Sequence, residues 1–290
     1  MSFSQKIKNK LLDSSDRFNS INNENKKLKK INKKLKKSNQ NLKLQLENNE
    51  KLLNVLFNID QESGETPNFC PVCGYVGEFS AVGKPPRKNA SCPNCRSLER
   101  VRFAKIVMNQ RYSYIFKDSC KVLHFAPEKI FYKIFNENPN IDYYPVDIDP
   151  ERYKKAGMTI RKQANMENIP FDDNYFDFIY NSHVLEHVPN DKKAMEELYR
   201  VLKPNGVIFI AVPLFNIPET YQNDEYNTPE LRLKHYGQAD HLRMYGNDFK
   251  DKLESAGFSI EALKIDDIFS DEVKGRIISC RGETLFVGMK

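Results

Sequence analysis

Between Lys121 and Pro213, short apolar runs alternate with helical patterns of ten or more residues. The runs are KVLHF (121–125), YYPVD (143–147), FDFIY (176–180) and VIFIAVP (207–213), with a fainter one, MTIRKQA, at 158–164. Pro, Asp, Asn or Gly bounds each. Strands spaced by helices in this way form βαβ units, and such units build a parallel sheet covered on both faces. Ligands bind such sheets at the carboxyl ends of the strands, where the strand order reverses. The polar residues of this stretch fall at those ends: His124 and Glu128, Asp147, Asn165, and Asn181 with His183.

A second constraint lies upstream. Cys70-Pro-Val-Cys73 and Cys92-Pro-Asn-Cys95 are two hooks separated by eighteen residues. Two such hooks can set four thiolates around one zinc, and Pro71, Gly74, Pro93 and Asn94 supply the turn chemistry each needs. A redox pair needs only one hook. Four protein ligands leave no open position, so the expected zinc is structural. Residues 97–110 then read as an amphipathic helix, with Leu98, Val101, Phe103, Ile106 and Met108 on its apolar side, docking this module onto the sheet. Cys120 and Cys280 sit beside apolar runs and read as buried thiols.

Charge separates the N-terminus from the rest. The chain has 290 residues and a net charge of +6. Its first sixty residues hold 14 Lys and Arg against 6 Asp and Glu, so residues 61–290 are slightly acidic. Ile21, Leu28, Leu35 and Leu42 recur every seven residues, while the other seam position is half polar, which predicts a short coiled coil. Eight lysines lie within residues 26–37, so a helix lying on an acidic membrane or on nucleic acid stands as the alternative. No apolar run approaches the ~20 residues of a membrane-crossing helix, and no signal-peptide pattern opens the chain, so a cytoplasmic protein is the default. The expected divisions are a basic helix at 1–60, a zinc module with its helix at 61–118, and the sheet domain at 119–290.

The run from Asn165 to Gly206 carries, in order, an amide corner, IPF, an Asp-rich turn, FDFIY, HVLEHV, a helix and RVLKPNG. With the strands before it, this order resembles class I S-adenosylmethionine-dependent methyltransferases of the type 11 group, over roughly residues 119–290. The resemblance implies an α/β fold: a Rossmann-like sheet, mostly parallel, with an antiparallel last strand. It also implies S-adenosylmethionine as cofactor. The family's first motif is an acid followed by a GxGxG loop. Here the letters are His124-Phe125-Ala126-Pro127-Glu128-Lys129-Ile130, so the acid and all three glycines are replaced. Zinc-carrying members show a similar HFAPE loop.

Carried over position by position, the resemblance implies a cofactor site of Phe125, Ala126, Glu128, Asp147, Ile148, Asn165, Met166 and Asn181. Pro127 would open the next helix, placing Glu128 in its first turn, with its carboxylate toward the cofactor's ammonium. Asp147 would take both ribose hydroxyls. Asn165 would accept from the adenine amino group or, equally, serve as a turn residue. Met166 would wall the purine.

His183 and His241 are the candidate proton acceptors for a hydroxyl acceptor, because imidazole titrates near neutral pH. His183 and His187, four apart, would share a face if HVLEHV is helical; such a pair can hold a metal, but the sequence shows no third ligand. Residues 213–240, without regular pattern, are expected to shape the acceptor pocket, and HYGQADHLRMYG (235–246) ends them. The leading expectation is methyl transfer to a small-molecule or glycan acceptor, for example a sugar hydroxyl, by a chain that self-associates through its coil. One alternative is an RNA methyltransferase gripping phosphate with the zinc module and lysine helix; its difficulty is the slightly acidic remainder of the chain. The other is a non-catalytic oligomeric scaffold with a degenerate pocket.

Overall fold

The computed structural model describes residues 68–83, 85–269, 271–277 and 284–290, together with Lys29. The elements below all lie in the second of two units, Met1–Glu62 and Ser63–Lys290. The expected coiled coil and lysine run, and Cys280, lie outside the described residues.

Two small antiparallel pairs come first, β1 (Asn68–Phe69) with β2 (Val76–Gly77) and β3 (Ser80–Val82) with β4 (Arg87–Ser91). Helix α1 (Glu99–Arg111) follows. It is buried around most of its circumference, Glu99 and Arg102 included, so the expected one-sided amphipathic helix is instead wedged between neighbours. Then come β5 (Cys120–Phe125), α2 (Lys129–Asn136), β6 (Ile141–Asp147), β7 (Lys162–Gln163) and β8 (Phe176–Ser182). The remainder is α3 (Asp191–Val201), β9 (Leu202–Ala211), α4 (Pro229–Tyr236), α5 (Phe249–Ser255), β10 (Ser259–Lys264), α6 (Ile265–Ile268), α7 (Asp271–Ile277) and β11 (Thr284–Met289).

Seven strands make one Rossmann-like sheet in the order β10-β11-β9-β8-β5-β6-β7. Strands β5 to β9 run parallel, and β11 is antiparallel to both β9 and β10, as expected for the last strand. The strand order reverses between β5 and β8. Both faces of the central strands are covered, which is why they read as nearly unbroken apolar runs. One face packs Leu123, Ile179, Ile208 and Ile210 against Met195, Leu198 and Phe249. The other is aromatic: Phe131 lies 4.5 Å from the Tyr180 ring and 5.5 Å from Phe135. Asp177, at the start of β8, accepts from the Lys121 N–H and pairs with Lys203 at 2.8 Å, tying three strands at their amino ends. No helix among the described residues is long and apolar enough to cross a membrane.

Four local expectations need correction. The strand expected over 158–164 shrinks to Lys162–Gln163 at the sheet edge. Helix α2 starts at Lys129, so Pro127 stands outside it and Glu128 is its N-cap. HVLEHV is not an α-helix: His183 has φ +55°, and a single 3-10 turn spans Leu185–His187. Residues 213–240 contain α4, whose Thr228 cap, Pro229 start and Gly237 stop are ordinary helix signals.

Candidate functional site

A cavity of about 460 Å³ opens at the carboxyl ends of the parallel strands, at the reversal of strand order. That volume suits a mid-sized organic ligand. Phe125 and Ala126 leave β5, Asp147 and Ile148 leave β6, Ala164, Asn165 and Met166 follow β7, and His183 follows β8. Six of the eight residues expected at the cofactor therefore line this cavity. Glu128 and Asn181 are not among the lining residues.

Ala126, at the first of the lost glycine positions, keeps the left-handed backbone glycine would give, with φ +48°. Its N–H donates to the Val146 carbonyl, 3.0 Å away, which holds that conformation between two strand ends. For an L-residue it costs on the order of 1–2 kcal/mol. His124, in the place of the family's acid, is fully buried and does not reach the cavity. Its Nδ1 is 2.8 Å from the Tyr143 hydroxyl and its Nε2 is 3.0 Å from Glu128 Oε2. Burial raises the Glu128 carboxyl, but the His124 contact, with Arg100 adding to it, outweighs that and leaves it below the ordinary value. Glu128 is thus committed to His124 through one oxygen; the other is buried without a hydrogen-bond partner.

Asp147 is nearly buried and densely bonded. Its Oδ1 accepts from the Asp149 N–H at 2.8 Å, and its Oδ2 from Arg152 at 2.8 Å and the Tyr153 hydroxyl at 2.7 Å. Asp149 caps the following turn by accepting from Glu151, as its place in the sequence suggests. Ile148 is 63% exposed at the cavity mouth, an apolar surface with nothing yet on it. Asn165 Oδ1 accepts from the Glu167 N–H at 2.9 Å, so its turn role is present. Met166 is buried, with its sulfur 3.8 Å from Asn181 Nδ2, and Asn181 Oδ1 has no partner.

A second cavity of about 540 Å³ lies on the other side of His183 and His187, which line both. Its wall includes Glu186, His235, Tyr236 and His241, with Arg87 and Arg100 from the cysteine module and its helix. Of residues 213–240, those at 213–215 and 235–238 line this cavity, joined by His241 and Met244. His187 is expected only as half of a helical pair with His183, and Glu186 is not expected as a site residue; the EH pair inside HVLEHV is the available signal.

The turn carrying Glu186 and His187 is fixed from one side. Buried Arg243 donates to the carbonyls of Leu185 at 2.9 Å, Val188 at 2.5 Å and Pro189 at 2.8 Å. The Leu242 N–H reaches the Glu186 carbonyl at 2.9 Å. His241 is thereby held against the turn, its ring 4.9 Å from that of His187. Burial, with the neighbouring His187 and His183 adding to it, keeps the His241 imidazole below its ordinary pKa and so neutral at pH 7, even though Glu186 and Asp240 pull the other way.

The two cysteine hooks meet. The sulfurs of Cys70, Cys73, Cys92 and Cys95 all lie within 4.8 Å of one another. Cys70 and Cys95 are 3.6 Å apart, and Cys73 and Cys92 are 3.7 Å apart. Burial pushes the Cys95 thiol up to about 12. At Cys73 burial also raises the thiol, but hydrogen bonds from the Tyr75 backbone, Asn94 and the other cysteines bring it to about 7. Beneath the cluster, Arg102 donates to the carbonyls of Ala90, Ser97 and Ile277.

Comparison with known proteins finds similarity over part of the chain. Residues 129–210 match the family model described as a methyltransferase domain. The ubiquinone/menaquinone biosynthesis C-methyltransferase UbiE of Rickettsia felis is 41% identical over 79 residues, 27% of this chain and 30% of that protein. The sterol 4-C-methyltransferase strm-1 of Caenorhabditis elegans is 29% identical over 93 residues, 31% of this chain and 27% of that protein. The chain thus spans less than a third of the length of these relatives. A solved structure from Archaeoglobus fulgidus, a SAM-dependent methyltransferase, aligns over 68% of this chain and 96% of its own at 18% identity, with a TM-score of 0.44. The sequence match runs from α2 to the end of β9, the segment that supplies Asp147, Asn165, Met166 and His183 to the first cavity and joins it to the second through His187.

Proposed function

We propose that this chain is an S-adenosylmethionine-dependent methyltransferase whose cofactor occupies the first cavity and whose acceptor enters the second. The observation that carries the reading is the pair of cavities meeting at His183 and His187, with most of the first, between residues 147 and 189, drawn from the methyltransferase-domain match. The residues present fit the cofactor. Asp147 offers a carboxylate for the ribose hydroxyls once exposed Arg152 swings aside, and Ile148, Met166 and Phe125 offer apolar surface for the purine. Bound there, the cofactor supplies an already activated sulfonium methyl, so the protein is asked mainly for positioning. Glu128 serves the site indirectly, by holding His124 under the β5 turn, rather than by reaching the cofactor.

On the acceptor side, His183 and His241 are neighbours of the meeting point and can take a proton from a hydroxyl. A sugar hydroxyl of a glycan or its precursor is the acceptor class proposed. Arg100 in the wall favours an acceptor bearing negative charge, whereas Arg87 is already paired with Glu99 at 3.1 Å. The four thiols fit a structural zinc: thiolates about 2.3 Å from one ion lie about 3.8 Å apart, close to the Cys70–Cys95 and Cys73–Cys92 separations of 3.6 and 3.7 Å. Such an ion would hold the two hooks together and, through the Ser97 carbonyl beside them, steady Arg102.

Calorimetry with S-adenosylmethionine and its demethylated product tests the reading. Binding of either in the micromolar range is expected. Binding of neither at millimolar concentration sinks the enzyme and leaves the scaffold. A steep loss of RNA affinity with rising salt would move the acceptor from glycan to RNA.

A further inference from the structure

Among the described residues, one group of metal-ligating side chains stands apart from the cysteines. Glu186, His187 and His241 each bring a ligand atom into a cluster within 4.8 Å, at the second cavity. Glu186 is 1% exposed, yet neither of its carboxylate oxygens has a hydrogen-bond partner. His241 is 3% exposed, and its Nδ1 has none either. His183 completes the surroundings: its Nδ1 lies 3.2 Å from Glu186 Oε1, too poorly aligned to count as a hydrogen bond, and its Nε2 is unpartnered.

Buried polar atoms are nearly always bonded, and a buried carboxylate left bare costs several kcal/mol. Three of these unpartnered atoms, both Glu186 oxygens and His241 Nδ1, belong to residues of the cluster, and a buried carboxylate facing imidazole lone pairs calls for a cation. We propose that Glu186, His187 and His241 bind one divalent first-row transition ion, with its remaining positions open to the second cavity.

The neighbours prepare the ligands for this. His187 Nδ1 is 3.0 Å from the Asp240 carbonyl, an oxygen that can only accept. Nδ1 is therefore the donor in this contact, and an outer acceptor on Nδ1 directs Nε2 toward an ion, as at metal-binding histidines generally. Two imidazoles and one carboxylate with open positions suit Mn, Fe, Co, Ni or Zn and do not suit Mg or Ca. Atoms sharing one ion sit about 3.0–3.4 Å apart, so the cluster must tighten when an ion binds. Arg243 and the Leu242 N–H hold the two halves of the site in register while it does.

The role of the ion rests on the methyl-transfer reading; its binding does not. An acceptor hydroxyl approaching the ion becomes more acidic. Its oxygen lone pair then forms the new C–O bond, the C–S pair stays on sulfur, and the hydroxyl proton passes to His183 Nε2.

The test uses the full chain with its thiolate site left loaded and weakly held ions removed. Mn²⁺ is titrated in, since it binds thiolates poorly, and paramagnetic resonance reads the free ion. One Mn²⁺ per chain is expected, with imidazole nitrogen couplings in the pulsed spectrum. His241→Gln and His187→Gln should each bind at least tenfold more weakly, while His235→Gln, outside the cluster, binds like wild type. No uptake by the wild-type protein at millimolar Mn²⁺, or uptake without nitrogen couplings, overturns the site, and neither result depends on a variant folding. Calorimetry on the same sample keeps the two ideas apart. Cofactor binding without ion uptake ends only the ion site; ion uptake without cofactor binding ends the methyl-transfer reading and leaves the site standing.

Discussion

The backbone N–H of Leu242 lies 2.9 Å from the carbonyl oxygen of Glu186, joining two stretches fifty-six residues apart in the chain. With Arg243 beside it, this contact makes the wall between the two cavities a shared structure rather than two loops. Arg243→Met should leave the carbonyls of Val188 and Pro189 without their side-chain donor, while Leu185 keeps Tyr245, and cost roughly 2–3 kcal/mol of stability. Chemical denaturation measures it; a loss under 1 kcal/mol would mean that the clamp is dispensable.

Asp147→Ala removes the carboxylate proposed for the ribose. A charge-assisted, two-armed contact of this kind contributes on the order of 2–3 kcal/mol, so the affinity for S-adenosylmethionine should fall about 30- to 150-fold in calorimetry. An unchanged affinity would place the ribose elsewhere.

Ala126 tests the altered first motif. Glycine accepts φ +48° without the penalty alanine carries there, so Ala126→Gly should raise stability by about 1 kcal/mol, and Ala126→Val should lower it by more. If glycine destabilises, the left-handed turn is not what the position demands.

For the cysteines, metal analysis of the purified chain should give one tightly held zinc per protein, apart from any weakly held ion. Cys92→Ser should lower both zinc content and thermal midpoint. A folded protein without zinc at this site removes the idea.

Burial pulls Lys105 down to about 8 from the ordinary 10.5. The folded state therefore resists its proton while the unfolded chain still holds it, and unfolding binds more protons between those two values. By linkage, stability from this residue rises as pH climbs from about 8 to 10.5 and is lost as pH falls through 8. Lys105→Met should be more stable than wild type at pH 7, and the gap should narrow toward pH 10 in thermal melts. A gap that stays constant across that range would mean that Lys105 titrates normally.

The sheet was legible because each central strand is covered on both faces and reads as an apolar run, and because Asp147, Asn165 and His183 mark strand ends. What the residues did not reveal was mostly non-local. Glu186 looked like one more charged residue until His241, brought in by Arg243, stood beside it. His187 lost its place through a wrong period: a helix would have stacked it on His183, whereas His183 turns left-handed and the 3-10 turn swings His187 to the junction. The resemblance turns Glu128 toward the cofactor's ammonium, and its place in the motif does not show the partner it has here, His124, four residues earlier and packed among aromatic rings. Helix α4 was missed although Thr-Pro-Glu and a closing Gly were present, since eight residues carry too short an apolar repeat to see.

Arg102 sits beneath the thiols and is bonded to carbonyls on β4, on the turn before α1 and at the end of α7, while Arg87 and Arg100 reach the wall of the second cavity. An expression boundary set at the start of the sheet would look natural on sequence grounds. It would nevertheless bare the apolar flank under α1, strand the Ile277 carbonyl and open one side of the second cavity. The shortest fragment worth cloning therefore begins ahead of Cys70.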